Sequence, residues 1–131
     1  MLGSPTTTIV GNLTADPEVR FTPSSTAVAT FTIAQTPRKY DQLTKKYVDG
    51  TTLFLRATAW GNQAETLGTM LKKGAKIIAV GALFQKEWED RDGNKRTSIE
   101  MRIDEIGLCI KTIAKAVEKT AAAPAEDQPP F

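Results

Sequence analysis

The sequence predicts an all-β fold, a small barrel with one helix. Three observations lead there. Runs rich in β-branched and aromatic residues alternate apolar and polar positions with period two. One stretch, between Gly61 and Gly74, changes to the helical period of about 3.6 residues. Asp92-Gly93 then joins two further alternating runs with a dipeptide that suits hairpin turns.

The first run, "TTTIVGNL", is β-branched and ends at Gly11-Asn12. "ADPEVRFTPSST" comes next, with Pro17, Pro23 and a serine-threonine cluster, and reads as a loop. In "AVATFTIAQT", Ala27, Ala29, Phe31 and Ile33 share one face, and Val28, Thr30, Thr32 and Ala34 the other. "PRKYDQLTKKYVDG" is polar and basic and reads as a long loop or a protruding hairpin. The third strand, "TTLFLRATAW", sets Leu53, Leu55, Ala57 and Ala59 on a face suited to a core. Its opposite face carries Phe54, Arg56, Thr58 and Trp60.

After Gly61, Asn62 is a good N-cap and Glu65 completes a capping-box spacing. Ala64, Leu67 and Leu71 form the buried face of this helix, with Met70 beside it. Lys72 and Lys73 suit the C-terminal dipole and Gly74 the stop. "AKIIAVGALFQKEWEDRDGNKRTSIEMRIDEIG" is two strands. A two-residue turn at Asp92-Gly93 places Glu89 opposite Arg96 and Trp88 opposite Thr97. "LCIKTIAKAV" reads as a further strand or a short helix, and the remaining "EKTAAAPAEDQPPF" is low-complexity and expected to be disordered. Three strands, a helix and two strands is the order of the OB-fold, a five-stranded Greek-key barrel with its helix between the third and fourth strands.

The 131 residues suffice for one domain and a tail, and an apolar fraction of 40% supports an ordinary core. There is no histidine and one cysteine, Cys109, so zinc sites and Ser–His or Cys–His catalysis lack their residues. The carboxylates mostly sit beside bases, as in "EWEDRDGNKR". No enzyme, metal or cofactor is expected. No signal-peptide pattern or membrane-length apolar run is seen, so a cytoplasmic location is expected. The net charge is +2, but residues 1–125 hold 17 basic against 13 acidic residues, leaving Glu126 and Asp127 as an acidic tip. A basic body suits a polyanion.

The rings off the core are the sharper signal. Phe54 and Trp60 lie on the third strand, Trp88 far out on a charged arm, and Tyr40 and Tyr47 in the loop between the second and third strands. Packing under another element or against a subunit is the structural alternative. In OB-folds, however, these places bind oligonucleotides or oligosaccharides. Unstacked bases need flat rings, and their backbone needs cations. Here the cations are Arg38, Lys39, Arg56, Lys72, Lys73, Lys86 and Arg96, with Lys45, Lys46, Lys76, Arg91 and Lys95 nearby in sequence. No code for base edges is apparent.

The runs "TIVGNLTADPEVRFTPSSTAVATFTIA", "WGNQAETLGTMLKKGAKIIAVGAL" and "KEWEDRDGNKRT" resemble the bacterial single-stranded DNA-binding protein family. "VDGTTLFLRATAW" and "MRIDEIG" look closest to its actinobacterial branch. The resemblance implies an OB-fold over residues 1–107 that binds single-stranded DNA and assembles as a homotetramer in the nucleoid. It implies an added intersubunit strand at 108–117 and a linker with an acidic tip at 118–131. It puts base-stacking rings at Tyr40, Phe54, Trp60 and Trp88. "PSSTAV" departs from the family in lacking the usual turn glycine, and Leu55 replaces a histidine common at a subunit contact. The resemblance does not separate a host's main protein from a paralogue or a phage-encoded form. An OB-fold that binds RNA and a protein-interaction module are the alternative readings; a carbohydrate-binding barrel fits the cations less well.

The family's tail implies partner proteins of replication, recombination and repair. "EDQPPF" has the chemistry for it: Phe131 offers a ring and a terminal carboxylate, Pro129 and Pro130 hold the chain extended, and Glu126 and Asp127 attract a basic rim. Removing Phe131 should leave DNA affinity nearly unchanged and abolish capture of a tail-recognising helicase or recombination mediator in a pull-down. Retained capture would show that the tip is not the hook.

Overall fold

Small and large apolar residues alternate along strands that curl around one interior in the computed structural model, which describes residues 3–111. The strands are β1 (Thr6–Leu13), β2 (Glu18–Phe21), β3 (Ala27–Gln35), β4 (Arg38–Asp41), β5 (Lys46–Asp49), β6 (Leu53–Trp60), β7 (Lys76–Glu89) and β8 (Lys95–Leu108), with α1 (Asn62–Met70) between β6 and β7. The large sheet runs β1-β7-β8-β6-β3-β2, and β1 also meets β3 at Asn12–Ala34 and Leu13–Ile33, which closes the barrel. The β6–β8 pair is parallel and the other pairs are antiparallel. The five barrel strands β1, β3, β6, β7 and β8 are the five expected from sequence, and the fold is the OB-fold.

Ala29, Ile33, Ala57, Ala59, Ile77, Ala79 and Met101 are completely buried. Phe31, Ile9 and Leu13 fill the space that the alanines leave. Burying each large aliphatic or aromatic side chain contributes about 1.5–3 kcal/mol. Ala64 and Leu67 bring α1 onto the same core, and Leu71 follows them in.

Four details differ from expectation. First, Glu18–Phe21 is a strand, paired with β3 from Glu18–Thr30 to Phe21–Ala27, where a loop was expected. Its four residues, Glu-Val-Arg-Phe, alternate, but the run is short, lies between Pro17 and Pro23, and buries none of its side chains. Its turn is set by polar groups: Ser25 N–H donates to Thr22 O at 2.8 Å, and Ser25 takes the left-handed φ of 65° that glycine would accept more readily.

Second, Gly61 and not Asn62 caps α1, with φ of 70° and no side-chain cap bond. Third, α1 ends at Met70 with Leu71 as an extended C-cap, so Lys72 and Lys73 lie beyond it and do not sit on its last turn. The chain is instead caught by the end of β1 and the loop after it: Gly74 N–H donates to Leu13 O at 2.8 Å, and Lys73 N–H to the Asp16 carboxylate at 2.7 Å. Fourth, Leu53 is half exposed, because β6 begins beyond the barrel rim.

β4 and β5 form the protruding hairpin, as a two-stranded sheet of their own. Thr36 and Thr52 hydroxyls 2.7 Å apart and a Gly50 N–H to Pro37 O bond of 2.7 Å clamp its base. Leu108 ends β8 opposite Ile77, and Ile110 and Lys111 have helical backbone. The rest of 108–117, and the tail tip with Glu126, Asp127, Pro129, Pro130 and Phe131, lie outside the described residues.

Gly81 sits at a register shift between Val80 and Gly81, where β7 bends to follow the barrel. A Cβ there would meet the Arg102 carbonyl of β8, backbone against backbone. Gly81→Ala should therefore cost about 1–3 kcal/mol in urea unfolding. Gly107→Ala, whose Cβ would enter open space, should stay within about 0.5 kcal/mol.

Candidate nucleic-acid interface

Strand register decides which side chains share the outside of the barrel. On β6, Arg56, Thr58 and Trp60 point away from the core, and they pair with Thr32, Thr30 and Val28 on β3. The parallel contact sets Arg56 beside Glu100 and Thr58 beside Arg102 on β8. On β7, Phe84 lies opposite Glu100, Lys86 opposite Ser98 and Trp88 opposite Arg96. Arg20 joins from β2, opposite Val28. One continuous face spans five strands.

Its centre is a groove of about 310 Å³ lined by Arg20, Arg56, Lys86 and Arg102, by Trp60 and Phe84, and by Val28 and Glu100. Trp60 is 43% exposed, and the Arg102 guanidinium lies 5.5 Å from its ring centroid. Such a contact contributes about 0.5–1 kcal/mol at an exposed site. Phe54, 64% exposed, sits in a second depression with Leu53 and Ile99 at the barrel rim. Trp88, 47% exposed, lines a third with Arg96 and Thr97 on the β7–β8 arm. Tyr40 and Tyr47 pair across β4 and β5, ring centroids 5.4 Å apart and edge to face.

The arm corrects the expected register. Asp90 N–H donates to Asn94 O at 3.0 Å, and Gly93, with φ of 79°, closes a three-residue loop in place of the two-residue turn. Trp88 therefore faces Arg96, not Thr97. A one-residue slip exchanges the faces of the partner strand, and this one brings Arg96, Ser98 and Glu100, not Thr97, Ile99 and Met101, to the side of Phe84, Lys86 and Trp88. The Asp90 carboxylate holds the loop, accepting the Asn94 and Asp92 N–H groups at 2.9 and 3.0 Å and Arg96 Nε at 2.9 Å. The Asn94 bond first, then Arg96, keeps its carboxyl below the ordinary aspartate range.

The expected phosphate residues divide. Arg56 and Lys86 line the groove. Arg38 is tied to Asp49 at 3.9 Å and to Tyr47 O at 3.3 Å, and Arg96 to Asp90. Lys39 is exposed on β4, and Lys72 and Lys73 stand in the turn after α1; none of the three lines the groove. Sequence reasoning missed Arg20, Phe84, Glu100 and Arg102. Period-two counting of "EMRIDEIG" puts Glu100 and Arg102 off the core, but only the parallel pairing brings them to β6. Among the described residues, no group of three or more His, Cys, Asp or Glu is placed to hold a metal, and no helix is long and apolar enough to cross a membrane.

A five-stranded Greek-key barrel whose outer face alternates rings and cations belongs to the oligonucleotide-binding class. A sequence model described as "Single-strand binding protein family" matches residues 5–109. The chain is 50% identical over 121 residues to the single-stranded DNA-binding protein of Mycobacterium tuberculosis (strain H37Rv), covering 92% of this chain and 74% of that one. It is 48% identical over 120 residues to the single-stranded DNA-binding protein of Paenarthrobacter aurescens, covering 92% and 70%. The crystal structure of a small single-stranded DNA-binding protein from Streptomyces coelicolor superposes with a TM-score of 0.73 at 24% identity, over 84% of this chain and 98% of that one, a likeness of fold. The chain belongs to the single-strand binding protein family.

Because the folded Asp90 carboxyl is held low, its hold on the arm is present above the unfolded aspartate value and is lost as pH falls through the folded one. Acidification below about pH 4 should lower amide-exchange protection, measured against the intrinsic rate at each pH, in the arm more than in the barrel. Asp90→Asn should remove that acid dependence; an arm equally protected at all pH values would contradict it.

Proposed function

We propose that this chain binds single-stranded DNA, largely independent of sequence, and shields it during replication, recombination and repair. The carrying observation is the groove that sets Trp60 and Phe84 beside Arg20, Arg56, Lys86 and Arg102, with Trp88 in a separate depression on the arm and Phe54 in another at the barrel rim. Stacking on Trp60, Trp88, Phe54 and Tyr40 holds bases, and the groove cations Arg56 and Lys86 hold phosphates. Arg38, Lys39, Lys72, Lys73 and Arg96 supply a cationic surround. The relatives named single-stranded DNA-binding proteins support the choice of DNA over RNA. The reading has no catalytic step.

The assembly is a homotetramer on this reading. β1 pairs with β7 along Thr6–Asn12, but with β3 only at Asn12 and Leu13. Its other edge, from Thr6 to Gly11, carries no charge to discourage pairing with a second copy. Val10 and Ile78, paired across β1 and β7, are 36% and 45% exposed and give that sheet an apolar outer face. Residues 1–107 form the binding and assembly domain, 108–117 add to the subunit contacts, and 118–131 link to the partner-recruiting tip. The protein works in the cytoplasm, on the nucleoid.

Trp60→Ala and Trp88→Ala should each weaken binding to oligo-dT and to mixed sequence by about 1–3 kcal/mol in fluorescence titration. Log affinity should fall with log salt by about 0.7 per phosphate neutralised. Folded variants with undiminished affinity, or tighter binding to RNA or duplex than to single-stranded DNA, would overturn the reading. Sedimentation should give the mass of four subunits, and Val10→Lys should lower it; a wild-type monomer at micromolar concentration would rule out the tetramer.

A further inference from the structure

The groove sorts its charges by depth. Arg20, Arg56, Lys86 and Arg102 line it and are exposed. Glu100 also lines it, is 7% exposed, and is the one buried charged side chain among the described residues. It stands on β8 with Arg56 of β6 on one side and Phe84 of β7 on the other. The Ser98 hydroxyl donates to its Oε2 at 3.3 Å. None of the four groove cations forms an ion pair with it within 4.0 Å. The Arg102 guanidinium lies over the Trp60 ring. The groove thus has a positive rim and a negative floor.

A buried carboxylate without an ion-pair partner costs stability. A neutral side chain in its place would leave the groove more positive, which is what a site for polyanions alone would want. The carboxylate acts on where a phosphate can go. A phosphate drawn to the floor meets a like charge at short range, where the protein wall lowers the dielectric and salt screens poorly. A phosphate at the rim meets the exposed cations first. The rings are uncharged and stack on bases without regard to that field.

We propose that Glu100 is a specificity-determining residue that keeps phosphates off the groove floor, so that a bound strand runs its backbone along the rim cations and turns its bases in toward Trp60 and Phe84. The same charge makes the groove discriminate against polyanions that carry no bases. The proposal rests on the single-stranded DNA reading above. It asks nothing of base identity, in keeping with binding that is largely independent of sequence.

The test compares oligo-dT with a strand of equal length built from abasic tetrahydrofuran residues, which keeps the phosphates and lacks every base. Each competes with a labelled oligo-dT for the full-length protein, read by fluorescence anisotropy at low salt. Glu100→Gln keeps the shape and an acceptor for Ser98 but removes the charge. It should raise affinity for the abasic strand about tenfold and affinity for oligo-dT much less, so the ratio between them narrows. Glu100→Asp keeps the charge and should keep the ratio. Thr30→Glu adds a second carboxylate to the groove lining and leaves Glu100 untouched. It should weaken the abasic strand more than oligo-dT, and it decides the matter if Glu100→Gln does not fold. Equal changes for both strands in Glu100→Gln or in Thr30→Glu, or a ratio that collapses in Glu100→Asp, would overturn the proposal. Failure of the wild type to bind oligo-dT would instead overturn the single-stranded DNA reading.

Discussion

Three residue pairs tie β6 to β8 in parallel: Arg56–Glu100, Ala57–Met101 and Thr58–Arg102. Ala57 and Met101, both at 0% exposure, point inward and belong to the core. The other four side chains point outward and line the groove. The same contact therefore joins two strands of the barrel wall through the core and builds the binding face. It is also the pairing with the greatest separation in sequence within the groove, so its loop-closure cost is met only when the core forms around it. Folding and the shape of the groove are consequences of one event.

The rest of the face is arranged around that seam. Trp60, with the Arg102 guanidinium over its ring, stands beside the cations Arg20, Arg56 and Lys86. Toward the arm and the β4–β5 hairpin the arginines come with their own acids, Arg96 with Asp90 and Arg38 with Asp49. The groove gathers Arg20, Arg56, Lys86 and Arg102, while the two arginines nearest the protruding rings are held by acids of their own arms. That division suits a flexible strand: phosphates gather at the centre, and the protruding rings meet bases farther along.

Much of this was legible in the sequence, and the parts that were not have identifiable causes. Strands that are half core and half solvent announce themselves by alternation, so β3 and β6 were read with their faces assigned, and Phe54, Arg56 and Trp60 were placed outward. β2 alternates over only four residues between Pro17 and Pro23 and buries none of them, so it reads as a loop and Arg20 goes unplaced. The Asp92-Gly93 signal located the arm but not its register, which depended on the Asp90 carboxylate stabilising a longer loop. Arg102 and Glu100 were invisible as groove residues, since only a parallel contact between distant strands brings them to Trp60. The roles given to Lys72 and Lys73 followed from an expected helix end that Leu71 pre-empts by turning into the core.

The central claim is that the seam between β6 and β8 is the floor on which a single strand lies. Photo-crosslinking with a single-stranded DNA carrying 5-iodouracil, followed by mass spectrometry of the linked peptides, tests it most directly. Adducts should concentrate on Trp60 and Trp88, with Phe54 and Tyr40 next. Adducts confined to α1, or to the outer face of β1 and β7 around Val10 and Ile78, would contradict it.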